Sequence, residues 1–282
     1  MLDSLNNREI ATYVWFALII ILCLISPSIR KSFVNVLVLL FGKKILTSVL
    51  SMALYVTLVV VLLRYFDFWD KSLLKDTIVW LFGVGFISIM NSNKAIKDEG
   101  HFKGIIIDTI KLTIIVDFIV NLYVFNFWIE LIFLPFVTLL VLMQLVSQTE
   151  EKYSSVLKLV NTLLSIVGLV LIAYSVYMCI TDFQKFASIQ NLKNFLLPVI
   201  LTFAFLPFLY FLVLYMCYEI YFIRIDMAFR HNEFLRKYSK AQVFKRANIR
   251  LNVLKKVSKE LQLFNINSKE EFDSSLTSIL FL

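Results

Sequence analysis

Residues 108–121 read DTIKLTIIVDFIVN and place two aspartates, a lysine and an asparagine inside an otherwise apolar run. At about 100° per residue, Thr109, Thr113, Asp117 and Asn121 recur at every fourth position and form one polar stripe on a helix. Asp108 and Lys111 fall on another face, where they can neutralise each other near the helix start. Asp117 lies well inside a span over 104–124, where an ionised carboxylate costs at least about 2.5 kcal/mol. Either the stripe faces a water-filled path or ion site, or Asp117 is protonated or hydrogen-bonded and ties its helix to a neighbour.

A second apolar run, 127–146, follows after only Phe125 and Asn126, so the two should form a tight antiparallel hairpin. Glu130 lies near its start, level with Asn121, and marks an outer mouth. Thr138 and Gln144 also belong to its inward side, and Pro135 frees a carbonyl one turn earlier, which lipid cannot satisfy. The hairpin is therefore the candidate conduction or coupling element, with Thr109, Thr113, Asp117, Asn121 and Glu130 as its ion path.

These residues need a membrane around them. The chain has 282 residues, is 60% hydrophobic and has a mean hydropathy of +0.81, beyond the roughly 45–50% apolar content of soluble domains. Apolar runs long enough to cross a core of about 30 Å recur up to residue 223. The expected fold is all-α, a polytopic membrane helical bundle of about seven spans. These are 10–25, 45–63, 77–91, 104–124, 127–146, 159–180 and 195–223, with an interfacial stretch at 32–41. Asn6 and Glu9 form a capping box for the first span, which lacks a cleavage site and is read as retained. The third is short and contains two glycines, so it either spans with help from 72–76 or dips partway in. Trp15, Trp69, Trp80 and Trp128 are read as interfacial anchors.

Lysine and arginine placement sets the orientation. Alternate connections hold 21 basic residues on one side and six on the other, which puts the C-terminus in the cytoplasm. Cys23, Cys179 and Cys217 have no metal or disulfide spacing, and the two histidines lie outside the spans. No nucleophile elbow or phosphate-binding glycine loop is present. The sequence therefore predicts neither an enzyme nor a cofactor.

The transmembrane domain, 1–223, gives way abruptly to a basic helical region, 224–282. From Arg224 to Lys259 there are eleven basic and two acidic residues, interleaved with aromatics. Phe244, Ala247, Leu251, Leu254, Val257, Leu261 and Phe264 form the seam of an amphipathic helix; Lys245, Arg246, Arg250, Lys255, Lys256 and Lys259 take its other faces, the first five as the candidate anionic-ligand site. Ser268 and Glu271 cap a last short helix. Three readings of this region stand: an anchor on anionic lipid, a homo-oligomerisation helix, or a site for nucleotide or single-stranded DNA in which cations meet phosphates and aromatics stack on bases.

The runs LNNREIATYVW (5–15), WDKSLLKDTIVWLFGVGF (69–86) and IIIDTIKLTIIVDFIVNLYVFNFWIELIFLPF (105–136) resemble a family of bacterial membrane proteins. They are similar to the transmembrane effectors of anti-phage defence systems, in particular the Hailong-type channel effector. The resemblance implies an oligomeric pore in the bacterial inner membrane, carrying a cytoplasmic crown that binds a DNA signal, restrained by ligand and opened on infection. The crown would map onto 224–282. The expectation is a homo-oligomeric ion channel gated at its basic tail. The alternatives are a secondary transporter with Asp117 as a proton or cation site, and a structural subunit that recruits a cytoplasmic partner.

Overall fold

The computed structural model describes residues 6–97, 101–110, 118–266 and 268–281. The chain is an all-α membrane helical bundle, with no strand among the described residues. Six helices there are long and apolar enough to cross a bilayer: α1 (Asn7–Ile25), α3 (Lys43–Tyr65), α4 (Lys71–Met90), α8 (Phe127–Ser147), α9 (Ser154–Thr181, which one turn at Glu151–Tyr153 precedes) and α11 (Ile189–Ala228). Between them lie α2 (Pro27–Leu40), α5 (Ser92–Lys97), α6 (His101–Ile110), α7 (118–122) and α10 (Phe183–Phe186). The chain ends in α12 (Glu233–Ala247), α13 (Leu251–Glu260) and α14 (Lys269–Phe281). The expected span over 104–124 is represented by α6 and α7; residues 111–117, with Thr113 and Asp117, lie outside the described residues.

Many apolar side chains of the spans are exposed, Ile25 at 70% among them, which inverts the arrangement of a soluble core and identifies lipid as their solvent. The expected short third span is a complete one. Asp70 accepts from the Ser72 amide at 2.8 Å and starts α4 as a 3-10 turn, and the helix then runs 20 residues. It widens to π geometry over Leu81–Gly85.

The chain packs as two units, each assembled from distant stretches of sequence. In the first, α1 lies against α8 and α8 against α9. In the second, α3 and α4 pack on α11. Trp80 meets Phe205 edge-on at 5.4 Å between ring centroids, and Tyr55 and Phe208 lie 5.3 Å apart. A Cβ on Gly85 would come within 3.1 Å of Met52 Sδ, so α3 and α4 approach too closely there for most larger side chains. The second unit also holds the C-terminal helices. Their core joins Leu235, Val243, Leu254, Leu261, Phe272 and Leu276 to Val213, Tyr221 and Ile225 of α11 and to Ala95 of α5.

Two sequence expectations change here. The amphipathic helix over 244–264 is two helices, broken at Asn248, whose φ of 47° and ψ of −125° lie in a region that residues other than glycine rarely adopt. Its seam is buried within the chain's own core: Leu251, Leu254, Val257 and Leu261 face α11 and α14, whereas Phe244 and Phe264 point outward. The embedded part of α11 is also shorter than 195–223. Tyr210 donates its hydroxyl to the Ile249 carbonyl at 2.7 Å and accepts from the Leu251 amide, while Tyr218 donates to the Asn248 carbonyl. Polar backbone and the neighbouring Arg250 reach back to Tyr210, so the hydrocarbon-crossing segment ends near that residue. At 40 residues α11 is about 60 Å long, twice the hydrocarbon thickness. Its remainder is the spine of the C-terminal cap.

Leu254→Ala should cost about 2–5 kcal/mol, because Leu254 is fully buried in the cap. Thermal unfolding of the full chain in detergent would show the loss, with subunit number unchanged. A drop in subunit number without destabilisation would return the seam to an interface between chains.

Candidate functional site

The first unit concentrates its charge at the start of α1. Asn6 accepts from the Glu9 amide at 2.9 Å and donates its own amide to the Glu9 carboxylate, so the expected capping box is formed. The first turn so fixed carries Arg8 towards α8. Asn126 caps α8 by accepting from the Trp128 amide, which sets Glu130 in the helix's first turn. Arg8 donates Nε and Nη2 to the two oxygens of Glu130, each at 3.0 Å. Glu130 is fully buried and also accepts from the Phe125 amide at 3.0 Å.

Arg8 Nη1 reaches the Val120 carbonyl at 3.3 Å and the Asn121 amide oxygen at 3.2 Å, and Asn7 donates to the Phe125 carbonyl. Alongside, Glu9 pairs with Lys75 at 3.1 Å, and Lys75 lies 3.8 Å from Asp76. Lys193 sits 3.7 Å from Asp70, whose carboxyl is held below the ordinary carboxylate range mainly by the Ser72 hydroxyl, with Lys193 adding to it. One cluster thus joins α1, the start of α4, the 118–126 hairpin and α8.

Of the residues proposed for an ion path, Asn121 and Glu130 are brought together, and Arg8 is what joins them. Thr113 and Asp117 lie outside the described residues, and Thr109 falls in α6. Sequence reasoning missed Arg8 although its signal was legible: a lone arginine beside a capping box, level with an acid in the first turn of another span. It also misread two tryptophans. Trp15 donates Nε1 to the Leu131 carbonyl at 2.8 Å, the carbonyl that Pro135 strips of its helical partner. Trp80 is 3% exposed and donates to the Thr202 hydroxyl at 3.0 Å, so it is a core residue rather than an interfacial anchor.

In the cap, much of the proposed anionic site is engaged within the chain. Arg246 donates to the Thr277 hydroxyl at 2.6 Å and lies 3.7 Å from Asp273. Lys255 donates to the Ala95 carbonyl, and Arg250 to the carbonyl of Arg246. Lys245 is exposed and Lys256 half-buried. Tyr238 donates to Asp273, a bond that pushes its hydroxyl above the usual phenol range. Arg224 donates to the Ser258 carbonyl at 2.6 Å. Among the described residues no group of three or more His, Cys, Asp or Glu could hold a metal.

No protein-family model, curated protein or solved structure matches the chain. The geometry alone carries the functional argument.

Removing one member of a buried pair leaves the other charge unpaired. Arg8→Met should therefore cost about 3–5 kcal/mol, and Arg8→Met with Glu130→Met should recover most of it. Thermal unfolding of both variants in detergent checks this; equal losses would assign the effect to packing rather than charge.

Proposed function

We propose that the chain is one subunit of a homo-oligomeric ion channel, gated by an anionic ligand at its cytoplasmic cap. The observation that carries this reading is a polar, small-residue stripe on the exposed surface of α9. Gln144 donates to Asn161 at 2.7 Å in an exposed position, and exposed Ser165 lies one turn further along. Gly168 follows on the same face with open space where a Cβ would be. Gln144 and Asn161 bond each other and Ser165 donates to the Asn161 carbonyl, so the stripe is internally bonded but remains polar on an otherwise apolar exposed surface. Small and polar residues on a span are the usual material of helix–helix contacts or of a water-lined path.

The distribution of contacts supports the orientation read from charge. In the first unit, residues of the 6–9, 70–76, 120–130 and 190–193 stretches bond to one another, and Arg8, Lys75 and Lys193 are each paired with acids. In the second unit, Ala95 and Phe102 pack with the basic cap. By the excess of lysine and arginine, the basic cap is read as cytoplasmic.

The cap is built to act on spans. Its core takes in α11 beyond the membrane and Ala95 of α5, the helix that follows α4, so a shift within it bears on both α11 and α4. Lys245 and Lys256 supply further positive charge for a nucleotide or single-stranded DNA. The similarity to Hailong-type effectors fits this arrangement and suggests a role in anti-phage defence in the bacterial inner membrane.

Protein reconstituted in liposomes should conduct ions. Asn161→Leu with Ser165→Leu should reduce flux at least about tenfold, and Asp117→Asn should change conductance or selectivity at normal expression. Absence of flux from wild-type protein under every ligand condition, or flux unaltered in all these variants, contradicts the channel.

A further inference from the structure

The end of α11 carries a small cavity of about 300 Å³, lined by Arg224, Lys259, Leu261, Gln262, Leu263 and Phe264. We infer that this cavity binds a soluble phosphate ester bearing a planar ring, such as a nucleotide. It is the gating site that the channel reading requires and rests on that reading.

The first observation is charge. Two cations line the cavity and no carboxylate does so among the described residues. The acids nearby, Glu260 and Glu271, line a separate cavity that shares Leu261 and Gln262 with it. An anion therefore meets opposite charge in one of these two adjacent cavities and like charge in the other.

The second is orientation. Arg224 donates Nη1 to the carbonyl of Ser258 at 2.6 Å, with the Ser258 hydroxyl at 3.3 Å, which fixes its plane. Nε and Nη2 then have no hydrogen bond among the described residues. A guanidinium fixed along one edge and open along the other presents the forked donor pair that phosphate oxygens accept. Lys259 follows Ser258 directly, so one turn of α13 both positions the arginine and adds the second charge.

The third is the ring at the rim. Leu261 and Leu263 are buried in the cap core while Gln262 and Phe264 alternate outward. Phe264 is 74% exposed, and its backbone is pinned in a 3-10 turn, Leu263–Asn265, between core residues Leu263 and Ile266. An exposed phenylalanine beside paired cations is a platform for a flat ring whose phosphate lies on the cations. The volume falls at the lower end for small-ligand sites, which suits a mononucleotide better than a polymer.

Position separates the sources of phosphate. Arg224 lies about 20 Å along α11 from Tyr210, where the hydrocarbon ends, and the headgroup layer is only about 6 Å deep on each side. A lipid phosphate does not reach the cavity, whereas a soluble molecule does.

The test is equilibrium binding of adenosine 5′-monophosphate, inorganic phosphate and adenosine to the full chain at low salt, in nanodiscs of phosphatidylcholine and of phosphatidylglycerol. The nucleotide should bind in both bilayers and adenosine in neither. Lys259→Gln and Arg224→Gln should each weaken nucleotide binding at least about tenfold. Phe264→Ala should weaken the nucleotide but not inorganic phosphate. Lys259 and Phe264 are exposed, so their variants remain informative should Arg224→Gln unsettle the cap.

Failure of phosphate and nucleotide to bind, equal loss on Lys237→Gln at a distant exposed pair, or binding abolished by phosphatidylglycerol would overturn the site. Ion flux without nucleotide binding defeats only this site; nucleotide binding without flux defeats the channel and leaves the site standing.

Discussion

Hydrocarbon offers no hydrogen-bond partner, so each polar group that a spanning chain carries into it costs several kcal/mol unless the protein itself supplies one. Much of this architecture answers that constraint. Arg8 and Glu130 enter as charges and leave as a two-pronged pair with their remaining needs met by Asn121 and the backbone of the hairpin turn. Pro135 removes one helical bond from α8, and the indole of Trp15 replaces it. Trp80 and Thr202 satisfy each other inside the second unit, and Tyr55 donates to the Ala204 carbonyl of α11. In each case the polar partner comes from a different helix. The bonds that satisfy the membrane therefore also fix which helices are neighbours.

The same constraint separates membrane from cap along α11. As one unbroken helix of 40 residues it carries both, the boundary being marked by Tyr210, where the backbone of 249–251 reaches its hydroxyl. Beyond that residue the helix buries Val213, Tyr221 and Ile225 against α12 to α14 instead of lipid. This helix leads from the cap into the bilayer without an intervening loop. Lys255, bonded to the Ala95 carbonyl, adds a second route through α5 into α4, whose π segment at Leu81–Gly85 is a local departure from α-helical geometry.

Much of the fold was legible in the sequence because apolar length and helix-end chemistry are local. The spans and the capping boxes at Asn6 and Ser268 follow from residues a few positions apart. The pairing of Arg8 with Glu130 joins positions 122 apart in the sequence, so the arginine beside the capping box was visible but its partner was not. Trp80 misled for a related reason: an indole near a span end suits both an interface and a core, and only Thr202 decides between them. The seam of Leu251, Leu254 and Val257 was read correctly as apolar, but periodicity does not name the partner, which is the chain's own α11. Likewise, counting cations at 245–256 could not reveal that Arg246 and Lys255 hold the cap together while Arg224 and Lys259 line a cavity.

What covers the polar stripe of Gln144, Asn161 and Ser165 is the point on which the account turns: its members bond one another, but the chain leaves Asn161 and Ser165 exposed while it covers the Arg8–Glu130 cluster. A second copy of the chain would cover it and enclose a path between subunits. Native mass measurement of protein extracted directly into lipid nanodiscs tests that claim most simply. The account predicts particles holding a defined number of subunits greater than one, with Asn161→Leu shifting them towards monomer. Monomeric particles across the accessible concentration range, at unimpaired stability, would contradict it.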